Sequence, residues 1–418
     1  MNADLHQTAE EVERYIREHL FGPDGLMYSY IDVRSGKPLE PAAVEHLRRP
    51  YRGHDDPATY WTHEDSVLTA GLYMEALVLK LEVTGDPPAL EEAWRVWEPY
   101  RLVYYASQVF GSGAFLRPYG GFAGGFETMA RWAEPLGTDQ ASPLLSGLYG
   151  LWRHASGPAK DEIADIVVAT LSWYERQGFR YLWYKALMHE WQSTQQHAGS
   201  FYLPALAFAA KVTGDGKWRE HLQERVLLFR DPAYNAYETF NWGGDMVMLA
   251  DLMGPQFREA FPQALLDRGR EMWREQRATY TMPGMVRYVC HQNPEVHEPD
   301  FEPFTVPRGI YNLEPDFLVH QARERPASGA GSHFLCALAR LGDPGALEEA
   351  AEVAGHFRQV PEHFTVFLTE DHDRLPEDGC VRLQSRLVGT GMVGWYRNYW
   401  ALRKARMAAR EGQGDALV

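Results

Sequence analysis

The sequence predicts an all-α fold, an (α/α)6 toroid of six helical hairpins whose first helix pairs with its last. Three observations carry this expectation. A helix, Gly-Asp turn, helix pattern recurs as LKLEVTGDPPALEEA (79–93), FAAKVTGDGKWREHL (208–222) and CALARLGDPGALEEA (336–350). The turn glycines Gly85, Gly214 and Gly342 lie 129 and 128 residues apart, which is two units of about 64 residues each. Two further helices, the amphipathic 8–21 and 388–410, which is richer in small and aromatic residues, are left without a sequence-adjacent partner and close the ring if they pair.

Each recurring segment reads as an αα-hairpin. Glycine ends the first helix because the position after a helix C-terminus commonly takes the left-handed conformation. The Asp that follows is expected to cap the second helix, with Pro87 and Pro344 in its first turn. Weaker turns fall between the strong ones, at Gly157 in HASGPAKDEIADIV (154–167) and at Gly254 in ADLMGPQFREAFPQAL (250–265). Helix 8–21 places Val12, Tyr15, Ile16 and Leu20 at helical spacing, so it should bury one stripe. The inner helices begin with small residues, as in TAGLYMEAL, LLSGLYGLW and SGAGSHFLCAL, which lets helices approach closely around a crowded axis; outer ones such as PALEEAWRVWEPY carry more charge. A linear solenoid would use tighter repeats of roughly 34 to 47 residues. One barrel domain spanning 1–418 is therefore expected.

Composition excludes several classes. The formal net charge is −16, which disfavours nucleic acid and anionic membranes as partners, because phosphates call for Lys and Arg. No apolar run reaches the roughly 18 residues that a bilayer span needs. The beginning of the chain shows no basic region followed by an apolar one, so no secretory leader is expected. The three cysteines, Cys290, Cys336 and Cys380, are widely spaced and odd in number, which fits a reducing, cytoplasmic location and no disulfide framework. GGFAGG (120–125) lacks the Lys-Ser/Thr of a phosphate loop and reads as a flexible lid. No HExxH occurs, and His291 and His297 near Glu295 and Glu298 lack convincing ligand spacing, so neither a metal nor a cofactor is expected.

In a toroid the inner helices run parallel, so their N-termini share one mouth. The segments before them are TYWTHEDS (59–66), EPLGTDQASP (134–143), MHEWQSTQQHAGS (188–200), YETFNWGGDM (237–246), RERPASGAGSH (323–333) and LQSRLVGTGM (383–392), and they concentrate Trp, His, amides and acids. Loops 110–132 and 280–317 are expected to add walls. The mixture suits sugar: aromatic faces stack on the C–H surface of a pyranose, and amides and carboxylates bind hydroxyls. Glycoside cleavage needs two carboxyl groups, one protonated. Glu64, Asp65, Glu127, Asp139, Glu190, Glu238 and Asp245 are the candidates.

Asp139 ranks first. Ser142-Pro143 reads as N-cap and first helical residue, which would leave the Asp139 carboxylate to face the cleft. Asp65 and Asp245 are expected partners, although each could cap its own helix. Trp61, Trp191 and Trp242 are candidate sugar platforms. His63, His197 and His333 are candidates for binding substrate or taking a proton. Glu64, Gln140, Glu190 and Gln196 suit hydroxyls, and Arg386 suits a substrate carboxylate. Trp61, Asp65, Asp139, Glu190, His197, Trp242 and Asp245 are expected together at one mouth.

RPASGAGSHFLCALARLGD (325–343) and GTDQASPLLSGLYGLW (137–152) resemble the six-hairpin glycosidase superfamily, and within it the unsaturated glucuronyl and rhamnogalacturonyl hydrolases. The resemblance implies that the second segment, which opens an early inner helix, holds the catalytic Asp and so places that role on Asp139. The family shows a paired Asp-Asp there, whereas this chain has Thr138-Asp139-Gln140. The expectation is a glycoside hydrolase acting on a short oligosaccharide, uronate-containing ones included, with Asp139 as general acid or acid/base. A polysaccharide lyase or sugar epimerase on the same toroid, and a noncatalytic carbohydrate-binding protein, are the alternatives.

Overall fold

The structure, a computed structural model, describes residues 3–41, 57–119, 134–179, 181–182, 190–191, 199–229, 239–257, 270, 285–287, 324–326, 335–355, 366–369 and 383–410. Its helices are α1 (Ala3–His19), α2 (Pro57–His63), α3 (Ser66–Thr84), α4 (Pro87–Ser107), α5 (Thr138–His154), α6 (Pro158–Arg176), α7 (Gly199–Thr213), α8 (Gly216–Phe229), α9 (Thr239–Met253), α10 (Pro344–Gly355) and α11 (Thr390–Arg410). A further helical segment covers 335–340.

The architecture is the six-hairpin toroid. Neighbouring inner helices pack in the series α11, α3, α5, α7, α9, and α4, α6, α8 and α10 back α3, α5, α7 and α11 from outside. The layers follow from how apolar residues are distributed. In α3 nearly every residue from Ser66 to Leu79 is buried, the pattern of a helix covered on all sides. In α1 burial is confined to a stripe through Leu5, Ala9, Val12, Ile16 and Leu20, as an outer helix requires. The ring closes as expected, since α1 lies on α11 and Tyr399 meets His6, hydroxyl to Nδ1, at 2.8 Å.

All five turn glycines, Gly85, Gly157, Gly214, Gly254 and Gly342, have positive φ. The Asp caps are less uniform. Asp215 and Asp343 accept from the amides of Lys217 and Gly345, but Asp86 makes no side-chain cap bond. The reason lies in Pro87-Pro88, which removes the two amide donors that follow it, so the first available amide, Ala89, bonds the Asp86 carbonyl instead. The small-residue expectation for the inner ring holds at Gly71. A β-carbon there would lie 2.4 Å from Leu144 N and from Pro143 C, so α3 and α5 meet backbone to backbone.

Among the described residues, three short antiparallel sheets accompany the helices: β1 (Tyr30–Asp32), β7 (Leu383–Gly389) and β6 (Val366–Thr369) in the order β1-β7-β6; β2 (Tyr181–Leu182) with β3 (Glu190–Trp191); and β4 (Met285–Arg287) with β5 (Glu324–Pro326). The sequence reading anticipated no strands. LQSRLVG is not a loop before the last helix but β7, which runs directly into α11, so that helix begins at Thr390 and not at 388. Its apolar and β-branched residues find partners in Tyr30–Asp32 and Val366–Thr369. Helix 8–21 is also displaced, running from Ala3 to His19. Among the described residues, no helix is long and apolar enough to cross a membrane.

Candidate active site

Ser29 gathers three elements at one end of the ring. Its amide donates to the Thr62 carbonyl at the end of α2, and its carbonyl accepts from the Thr390 amide at the start of α11. Its hydroxyl accepts from the Asp65 amide at 2.7 Å, at the start of α3. A β-carbon on Gly389 would meet the Ser29 carbonyl oxygen at 1.8 Å, so only glycine permits this junction. The N-termini of α3 and α11 are thereby fixed side by side.

Asp65 occupies the N-cap position of α3, with φ −103° and ψ 21°, but its side chain makes no cap bond. The expectation that it could cap its own helix is thus corrected. The carboxylate instead accepts from Gln140 Nε2 at 3.1 Å, across to α5. Burial, then the like charges of Glu64 and Asp139, push the Asp65 carboxyl up to about 7, against the opposing influence of Arg117 and the Gln140 bond.

Arg117 provides the cation beneath these acids. The amide of Arg117 donates to the Glu134 carbonyl and that of Leu136 to the Phe115 carbonyl, which sets Arg117 beside Glu134. The guanidinium reaches Glu134 at 3.3 Å and Glu64 at 3.8 Å, and all three side chains are buried. Tyr119 donates its hydroxyl to Glu134 at 2.8 Å. Burial opposes the charge on Arg117, but Glu134, Tyr119, Glu64 and Asp139 outweigh it and hold the guanidinium firmly protonated.

The third component is the first turn of α5. Gly137 is its N-cap and the helix begins at Thr138, so the expected Ser142-Pro143 cap is corrected: both residues lie inside the helix. Asp139, Gln140 and Ser142 near this helix start each bear on a carboxyl group. Asp139 carries one itself and folds back over Gly137, whose β-carbon would be 2.3 Å from Asp139 Oδ1. Gln140 holds Asp65 and also donates to the Glu64 carbonyl. Ser142 donates to Asp245 Oδ1 at 2.6 Å. An acid at Asp139 also suits the positive end of the α5 dipole. Asp245 is not at a helix start, as its possible capping role required, but well inside α9 and only 1% exposed.

The structure therefore brings together Asp139, Asp65, Asp245, Glu64 and Gln140 from the sequence expectations. His63 ends α2, with Nδ1 3.3 Å from the Thr59 carbonyl oxygen and its ring edge-on to Tyr28. Trp61 lies on α2, Glu190 and Trp191 on β3, Trp242 on α9, and Arg386 on β7 opposite Phe367. The side chains of these five fall outside the described residues, as do Gln196, His197, His333, Glu127, Glu238 and the Gly-rich segment 120–125. Sequence reasoning missed Arg117, Tyr119 and Ser142 as site residues. Arg117 lies in loop 110–132, expected only as a wall, and Ser142 at the position expected to cap a helix.

No family profile matches the chain, and no curated protein matches it significantly. Solved structures do. An unsaturated glucuronyl hydrolase specific for heparin aligns over 98% of this chain and 97% of its own, at 8% identity and a TM-score of 0.50. A sugar epimerase from a ruminal bacterium aligns over 96% and 98%, at 10% identity and 0.51. A UGL variant with dGlcA-Glc-Rha-Glc aligns over 99% and 98%, at 13% identity and 0.51. At such identities the likeness concerns the fold, and it runs the length of the chain: this protein has the six-hairpin toroid that unsaturated glucuronyl hydrolases have.

Proposed function

We propose that the protein is a glycoside hydrolase acting on a short oligosaccharide, uronate-containing ones included, through the Asp65–Asp139 carboxyl pair. The observation that carries this reading is the state of Asp65. It sits at a helix start without capping it, beside Asp139, with its carboxyl raised to about 7. A carboxyl that keeps its proton near neutrality next to a second carboxyl is what glycoside cleavage asks for. Asp65 then serves as proton donor and Asp139 as the base that activates water, the reverse of the sequence expectation for Asp139. The likeness in fold to proteins named as unsaturated glucuronyl hydrolases supports the substrate class.

In this reading Trp61, Trp191 and Trp242 stack on sugar rings, His63, Glu190, Gln196, His197 and His333 bind hydroxyls, and Arg386 meets a uronate carboxylate. The barrel works as one domain over 1–418. The test is turnover on a panel of oligosaccharides, including uronyl ones with an unsaturated terminal ring whose absorbance disappears on cleavage. Asp139→Asn should lose about 10² to 10⁴-fold in kcat, the usual worth of a positioned acid or base. Full turnover by that variant refutes the assignment. Appearance of a new unsaturated chromophore from a saturated substrate would make the protein a lyase.

A further inference from the structure

We propose that Ser142 and Asp245 form a tie that positions the turn carrying Asp139 and Gln140, so that Asp245 acts through α5 and not on the substrate. The inference rests on the Asp65–Asp139 reading above.

The first turn of α5 is short of the bonds that ordinarily hold a helix start. Gly137 at the N-cap has no side chain to offer. Pro143 has no N–H to donate to the carbonyl of Asp139, four residues back, so one backbone bond of this turn is missing. The Gln140 and Ala141 amides bond the Gly137 carbonyl and tie the turn to its N-cap. Placement of this turn matters for rate, because displacements near 1 Å cost about 10²-fold.

Two contacts from the flanks compensate. On one side Gly71 of α3 lies directly against the backbone of Pro143 and Leu144. On the other, Ser142 Oγ donates to Asp245 Oδ1 of α9 at 2.6 Å, with Ser142 3% and Asp245 1% exposed. The tie is buried, short and charge-assisted, the strong kind of hydrogen bond. It pulls on the turn two residues from Gln140, which orients Asp65, and three from Asp139.

The electrostatic surroundings of Asp245 also differ from those of Asp65. Asp65 lies among like charges, Glu64 and Asp139. Asp245 instead lies in the field of Arg397, a guanidinium only 2% exposed whose pKa burial lowers, against the opposing influence first of Glu75, at 3.6 Å, and last of Asp245.

The experiment compares Asp245→Asn, Ser142→Ala, Ser142→Thr and Asp139→Asn. Asn keeps an oxygen for the Ser142 hydroxyl, so Asp245→Asn should stay within about tenfold of wild-type kcat, far above Asp139→Asn. Ser142→Ala should lower kcat about 10 to 10²-fold with KM little changed, and Ser142→Thr should restore it. Hydrogen exchange gives a readout that needs no substrate: the Ala141 and Ser142 amides should exchange faster in Ser142→Ala, while those of α7 are unchanged. A loss in Asp245→Asn as deep as in Asp139→Asn overturns the proposal. So does unaltered exchange in Ser142→Ala. If the exchange result holds and the wild type cleaves no glycoside, the hydrolase reading fails and the tie stands.

Discussion

Replacing Asp65 by Asn should make the protein more stable while making it less active, by an amount that depends on pH. The folded state lifts this carboxyl from its ordinary 3.8 to about 7. Between those values the folded chain binds a proton that the unfolded chain has lost, so stability falls as pH rises through the window. The full cost is present above about pH 7 and absent below about pH 4, where both states are protonated. A shift of about three units at 1.36 kcal/mol per unit sets the cost at about 4 kcal/mol, an upper figure because Asp65 keeps some contact with solvent. Asn is neutral at every pH, and its Oδ1 still accepts from Gln140 Nε2. Urea unfolding of wild type and Asp65→Asn at about pH 5 and about pH 8 checks this. The gain should be at most about 1.6 kcal/mol at the lower pH and about 4 kcal/mol at the higher. An equal gain at both pH values would show that Asp65 is not held protonated, and the acid–base argument would go with it.

Other perturbations probe the surroundings of that pair. Arg117→Met should cost about 3–5 kcal/mol in denaturant unfolding, because it leaves the buried Glu64 and Glu134 without their guanidinium. Since Arg117 opposes the rise at Asp65, the same variant should shift the basic limb of the pH–rate profile to higher pH. Gly71→Ala places a β-carbon 2.4 Å from the α5 backbone and should lower stability by about 1–3 kcal/mol or more, read as a fall in Tm.

The hairpins were legible because their ends are written in local chemistry. Gly85, Gly157, Gly214, Gly254 and Gly342 mark turns that need positive φ, and no distant residue is required to recognise them. The pairing of α1 with α11 was legible by elimination, since these helices alone lacked a neighbour in sequence. Of the site, Asp65, Asp139 and Gln140 could be found because acids and amides cluster where inner helices begin. Arg117 could not. It meets Glu134 through a bridge between Leu116 and Pro135, and nothing local to either segment announces the other. The partnership of Ser142 with Asp245 spans 103 residues and is likewise set by how α5 and α9 pack. The β1-β7-β6 sheet was hidden because strands of three to seven residues carry little periodicity.

The places where local rules mislead are not scattered at random. Far from the mouth, Asp215 and Asp343 cap their helices as the sequence suggests. At the mouth, Asp65 stands in the N-cap position and declines the role, α5 starts from a glycine, and Pro143 sits within a helix. There too burial and the neighbouring Glu64 and Asp139 raise the proton affinity of Asp65. Each of these features costs stability where it stands, and each is offset by a contact from another element: Gln140 for Asp65, Gly71 and Asp245 for the α5 turn, Arg117 for the acids. Strain that is localised and compensated in this way is characteristic of a functional site. The same logic explains why Asp65→Asn should stabilise the fold, since it relieves the cost of keeping a proton where chemistry would use it.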